Sequence, residues 1–243
     1  MEDLRHKVYF DTDAWRVIGH ALSADGLPAS LRERVVLSPI TVLELLSQLA
    51  LSSKGERILR EVQSVRNWVD PTHGEMLSWP NVAIAHFGFG VSLPTVLDNA
   101  ATNLNAVLNA DSVAEVRAPA SVLMDALKQV KVTTVGEFRQ LIELWRKGEL
   151  TVDSFDEVWL AGVAKRVGVD PTQYKKEDVI AALSAYHEFE RQKLLIAVKD
   201  PQYKPENHAN DLLDAEQLTY LADPRLHLLT AVSLRTGWTV RWE

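Results

Sequence analysis

The sequence predicts an α/β protein: a three-layer core built around a parallel sheet, carrying a mostly helical insertion. Two observations predict this. Strand-like and helix-like segments alternate at both ends of the chain, and that alternation builds parallel sheets. Between them, from about 94 to 199, apolar residues recur at helical spacing almost throughout. The core is therefore assigned to residues 1–69 plus 206–243 and the insertion to residues 70–205. A parallel crossover already requires a helix or more between strands, so helices can be inserted there without breaking the topology.

Each element rests on local signals. Residues 4–10, "LRHKVYF", read as a strand, with β-branched and aromatic residues at its end. Residues 14–24, "AWRVIGHALSA", place apolar residues at 14, 15, 17, 18, 21 and 22, which is helical. "DGLP" at 25–28 is a turn, and "VVL" at 35–37 is a short buried strand. Ser38 then reads as an N-cap and Pro39 as the first residue of a helix through "ITVLELLSQLAL". A further helix covers about 54–68, and residues 70–95, rich in Pro, Gly, His and aromatics, read as an irregular connection. In the middle, "TVLDNAATNLNAVL", "ASVLMDALKQV", "TVGEFRQLIELWRK", "SFDEVWLAGVAKRV" and "EDVIAALSAYHEFERQKLLIAV" read as separate helices. After a break at 199–207, "HANDLLDAEQLTYLA" is a helix, "RLHLLT" at 225–230 a buried strand, and residues 238–242 a last strand.

Composition bounds the function classes. With 47% hydrophobic and 24% charged residues, the chain can bury a sizeable core. It has no cysteine, which excludes disulfides and thiolate metal sites. The first ten residues lack the apolar core of a signal peptide, and no apolar run approaches the length of a membrane span, so a cytoplasmic protein without membrane contact is expected. A net charge of −7 argues against electrostatic wrapping of nucleic acid, although a bound cation would offset local negative charge.

The acids are placed less evenly than their number requires. Ligands of open α/β sheets bind beyond the carboxyl ends of the strands, and "VYFDTDAW" ends its strand on Asp11 and Asp13. Asp13 also suits the N-cap of the helix expected from residue 14. Glu44 lies in an otherwise apolar stretch, where an unpaired buried carboxylate is costly. Asp211 and Asp214 are three apart on one helix, where like charges repel by a few tenths of a kcal/mol unless a cation lies between them. Asp211 also suits the first helical turn, through the helix dipole. His208, three residues before Asp211, is a candidate substrate contact, whereas the seven histidines form no HxxxH pair and so give no zinc signature. Carboxylates alone select Mg²⁺ or Mn²⁺, ions that activate water against a phosphate ester without a nucleophilic side chain.

These segments resemble the PIN-domain ribonucleases. "VYFDTDAW" is similar to that family's opening strand with its Asp-Thr-Asn, "SPITVLELL" to its glutamate-bearing strand–helix junction, and "NDLLDAEQLTYLADPRLHLLT" to its third segment, an acidic helix before a strand ending in Thr. The resemblance covers about 100 residues at the two ends and none of the helical middle. It implies a PIN-like core with Asp11, Glu44 and Asp214 as catalytic residues. The same three, with Asp211 as an additional or alternative ligand, would hold Mg²⁺ or Mn²⁺, and Asp13, His208 and Thr230 would touch substrate. It further implies RNA as substrate and, as in small toxin–antitoxin members, a protein inhibitor as partner; a homodimer is open. The chain departs from the family at two places: Asp13 stands where Asn is common, and Val232 stands where a fourth acid is usual.

Two other readings compete. Asp-x-Asp after an apolar strand also resembles haloacid-dehalogenase-type phosphatases, with Asp11 as nucleophile and Asp13 as acid/base. The strand ending in Thr230 follows the acids, and Trp15 replaces a small residue, both against that pattern. A catalytically inactive PIN-like binding module is the other reading, and Val232 favours it.

Overall fold

The computed structural model describes residues 7–15, 34–44, 56, 59, 77–93, 103, 106–107 and 109–229. They divide between two compact units, one of residues 1–78, 95–127 and 224–243, the other of residues 79–94 and 128–223.

In the first unit, β1 (Lys7–Phe10) pairs in parallel with β2 (Leu226–Leu229), in the register Lys7↔Leu226 to Phe10↔Leu229. On the other side of β1, Val8 forms one parallel bridge with Val35. There the Val36 N–H donates to the Val8 carbonyl at 2.9 Å, and the Val8 N–H to the Arg34 carbonyl at 2.8 Å. Tyr9 and Phe10 are buried with Ala14, Trp15, Ile40, Val42 and Leu43, and the Phe10 and Trp15 rings meet at 4.8 Å. Burial holds the Tyr9 phenol far above its usual titration range. The helix after "VVL" begins at Pro39, as the sequence implies, because a missing N–H costs nothing at that position. Ser38 is buried, but its hydroxyl has no partner among the described residues, so it supplies no side-chain cap.

A three-layer parallel-sheet core is not what forms, and the predicted α/β class is corrected on this point. Among the described residues, regular structure is mostly helical, and the sheet is two four-residue strands, with isolated bridge residues at Val35 and Leu37. The apolar run "VVL" is too short to add a full strand: it contributes two isolated bridge residues, Val35 and Leu37, before Pro39 turns the chain into a helix. The expected strand at 238–242 lies outside the described residues.

The helical elements differ from expectation in two further places. α1 (Pro80–Ala83) continues into a π-helical turn, Ile84–Gly88, inside the stretch read as irregular. Pro80 sits in its first turn, and Ile84 and Ala85 are buried. Secondly, "ASVLMDALKQV" and "TVGEFRQLIELWRK" belong to one helix, α2 (Val113–Arg146), within which the boundary between the units falls. Ser112 starts it: its hydroxyl oxygen accepts from the Glu115 N–H at 3.3 Å, while the Glu115 carboxylate accepts from the N–H of Asp111, the residue before the cap, at 3.1 Å. Between the two expected helices stand Lys131, Val132 and Thr133; the two β-branched residues lower helix propensity by a few tenths of a kcal/mol each but break nothing. Pro119 removes only one ladder bond near the helix start.

The second unit continues with α3 (Phe155–Val167), α4 (Lys176–Ala182), α5 (Ser184–Lys199) and α6 (Ala209–Leu218). α3 ends at Gly168, whose φ of 75° is the left-handed conformation that glycine adopts without strain. α6 passes into the 3₁₀ turn Thr219–Ala222. Phe155, Trp159, Val163, Leu194, Leu212 and Leu213 are buried here, so Trp159 is a core residue. Among the described residues, no helix is long and apolar enough to cross a membrane.

Candidate functional site

Asp11 directly follows β1 and is half-buried. Its Oδ1 accepts the Ala14 N–H at 2.6 Å, and its carbonyl accepts the Trp15 N–H at 3.1 Å. Asp11 is thus the N-cap of the helical residues 12–15. The cap role expected of Asp13 is corrected: the helix starts two residues early, and Asp13 is an exposed residue of its first turn.

Two threonines tie this turn to the helix that begins at Pro39. The buried Thr41 hydroxyl donates to the Phe10 carbonyl at 2.9 Å. Thr12, also buried, donates through Oγ1 to Oε2 of Glu44. Phe10 and Thr12 flank Asp11, so both neighbours of Asp11 are fixed to the turn that carries Glu44. Glu44 is half-buried, and its hydrogen bond offsets part of the cost of burying a carboxylate. The structure therefore brings Asp11 and Glu44 to one edge of the first unit. Neither threonine was legible as a site residue, because each acts across about thirty residues of sequence.

Asp211, Asp214 and His208 belong to the second unit. Asp214 is exposed on α6. Asp211, in the first turn of α6, accepts from Lys193 Nζ at 2.6 Å and lies 3.4 Å from His208 Nδ1. Burial alone would raise its pKa, but the hydrogen bond and charge of Lys193, helped by His208, hold it below the ordinary carboxylate range. The Lys193 ammonium thus supplies positive charge to Asp211. His208 stacks on Tyr203 with ring centroids 4.5 Å apart and planes 7° from parallel. Thr230 and Val232 lie outside the described residues.

Among the described residues, no group of three or more Asp, Glu or His side chains is arranged to hold a metal ion. The fit of Mg²⁺ or Mn²⁺ thus rests on two carboxylates, Asp11 and Glu44. That number suits Mg²⁺, which keeps several waters and takes one or two carboxylates together with substrate phosphate.

The second unit holds a polar cluster that sequence spacing did not reveal. Arg166 of α3 donates to both carboxylate oxygens of Glu216 of α6, at 2.6 Å from Nη1 and 2.5 Å from Nη2. Its Nη1 also donates to the Tyr186 hydroxyl at 3.3 Å, and its Nε reaches the Asn81 side chain. The Tyr186 hydroxyl donates to Glu190 Oε1 at 3.2 Å, and the Trp159 indole N–H donates to Glu190 Oε2 at 2.7 Å. Burial opposes the charge of Arg166, but Glu216, Tyr186 and Glu190 more than restore it.

No protein-family model, curated protein or solved structure matches this chain.

Proposed function

We propose that this chain is a metal-dependent nuclease that cleaves RNA, with Asp11 and Glu44 holding Mg²⁺ or Mn²⁺ at the end of β1. The observation that carries this reading is the Thr12–Glu44 hydrogen bond, which delivers a second carboxylate to the residue beside Asp11. The motif resemblance to PIN-domain ribonucleases supports it independently of the extent of the sheet. A cation there would lower the pKa of its water and stabilise charge on the scissile phosphate. Asp11 would orient the ion through a carboxylate already fixed by the Ala14 N–H, and Thr12 would fix the Glu44 carboxylate. Asp214 is proposed as a further acid on the motif resemblance alone. Asp13 and His208 are the proposed substrate contacts, with a protein inhibitor as regulator and the cytoplasm as the place of action.

A mixed RNA pool incubated with the protein tests this. Cleavage is expected with Mg²⁺ or Mn²⁺ and not with EDTA. Cleavage unaffected by EDTA contradicts the reading. Metal-dependent hydrolysis of a small phosphate monoester, with RNA left intact, points instead to the phosphatase chemistry. A non-catalytic binding module is the second reading, favoured by the Lys193–Asp211 pair, which already neutralises one of the four acids. RNA retention without cleavage under any metal supports it.

A further inference from the structure

The cluster around Arg166 contains two carboxylates and one guanidinium, and the hydrogen bonds divide them unequally. Glu216 takes the bidentate pair with Arg166. Glu190 receives only the neutral Trp159 N–H and Tyr186 O–H, so no cation among the described residues is bonded to it. With both carboxylates ionised, the enclosed cluster carries one uncompensated negative charge, and two nearby carboxylates raise each other's proton affinity.

We propose that Glu190 is a proton-uptake site that makes the helical unit pH-responsive, more firmly folded in mild acid than at neutral pH. This stands apart from the nuclease reading and uses none of its residues.

Among the described residues, the surroundings of Glu190 contain no other cation to neutralise it. Glu190 is on α5, and the elements packed against α5 are α4, α6 and the 3₁₀ turn Thr219–Ala222, with α3 reaching it through Trp159 and Arg166. On α6, Glu216 holds Arg166, Asp211 holds Lys193, and Asp214 is exposed. On α4, Lys176 is bound to Glu157 of α3, and Glu177 and Asp178 are further acids. The 3₁₀ turn brings the buried Tyr220. On α5 itself, His187 is bound to Asp156 at 2.9 Å, and Arg191 to Glu188 at 2.9 Å. Burial first, then the charge of Glu216, raises Glu190 from the ordinary 4.5 to about 7, against the opposing effects of Trp159, Arg166 and Tyr186.

The direction of the pH effect follows. The folded state holds this proton more tightly than the unfolded chain does. The stabilisation is complete below the unfolded value of 4.5, declines as pH rises toward about 7, and is flat above that. Across the window the unfolding constant rises about tenfold per pH unit, on the order of a hundredfold in all.

The test is urea denaturation of the full chain from pH 4.5 to 8.5, wild type against Glu190→Gln. Glutamine keeps acceptor oxygen for Trp159 and cannot ionise. Subtracting the variant also removes the histidine titrations common to both proteins. The wild-type midpoint is expected to fall between pH 5 and 7 and then level, and the variant is expected to lose that fall. A variant with the wild-type slope overturns the proposal. If Glu190→Gln does not fold, ¹³C NMR of the wild type decides. The carboxyl resonance correlated through space with the Trp159 indole N–H should titrate with a midpoint near 7, and a midpoint at or below about 5 overturns the proposal.

Discussion

Asp11→Asn is expected to lower metal-dependent RNA cleavage by at least about a hundredfold while leaving the fold intact. The two effects separate because Asp11 does two things. Its Oδ1 caps the helical residues 12–15 by accepting the Ala14 N–H. Asparagine is as good an N-cap as aspartate, so that hydrogen bond survives. Only the negative charge goes, and with it the grip on a divalent cation. Losing several kcal/mol of charge stabilisation corresponds to a factor of about ten for each 1.4 kcal/mol. A continuous cleavage assay measures the rate, and thermal unfolding checks the fold. Unchanged cleavage in a folded Asp11→Asn protein would remove Asp11 from the site.

Glu216→Ala is expected to have the largest effect on stability. Glu216 is 1% exposed and Arg166 18% exposed, so the substitution leaves a largely enclosed guanidinium without its carboxylate. Breaking one side of a buried ion pair costs about 3–5 kcal/mol, mostly because the surviving charge remains desolvated. That is a large share of the roughly 5–15 kcal/mol that keeps a typical domain folded. The urea midpoint at constant slope measures it. Replacing both partners by apolar residues of similar size, Arg166→Met with Glu216→Leu, should recover most of the loss, because neither charge of the pair is then left without the other. A Glu216→Ala protein within about 1 kcal/mol of wild type would mean that the pair is better solvated than its burial indicates. Neither result bears on Asp11 and Glu44, which belong to the other unit.

The parts of the molecule that were legible in the sequence are those set by neighbours in the chain. Pro39 after an apolar run marks a helix start, and the helix begins there. The apolar run ending at Phe10 marks a strand, and residues 7–10 form one, paired in parallel with part of the expected 225–230 strand. Those two signals place Asp11 just past a strand and Glu44 in the helix that begins at Pro39. The sheet is smaller than expected because alternation of short apolar runs with helices does not set strand length, and "VVL" resolves as isolated bridge residues. Asp211 could not be assigned from spacing, since its partner Lys193 comes from another helix. The Arg166 cluster was likewise hidden: Trp159, Arg166, Tyr186, Glu190 and Glu216 lie on three helices and share no motif. Burial of His187 within "HEFERQ" on α5 is not readable from its polar neighbours.

Mn²⁺ binding tests the central claim most directly, because one ion held jointly by Asp11 and Glu44 is the premise of the whole site. Electron paramagnetic resonance of free Mn²⁺ can be followed during titration into wild type, Asp11→Asn and Glu44→Gln. The glutamine amide oxygen in Glu44→Gln would still offer Thr12 an acceptor, so only the charge is removed there. Saturable binding in the wild type, weakened at least about tenfold in both variants, is the expected result. Binding that is equal in all three proteins would contradict the account.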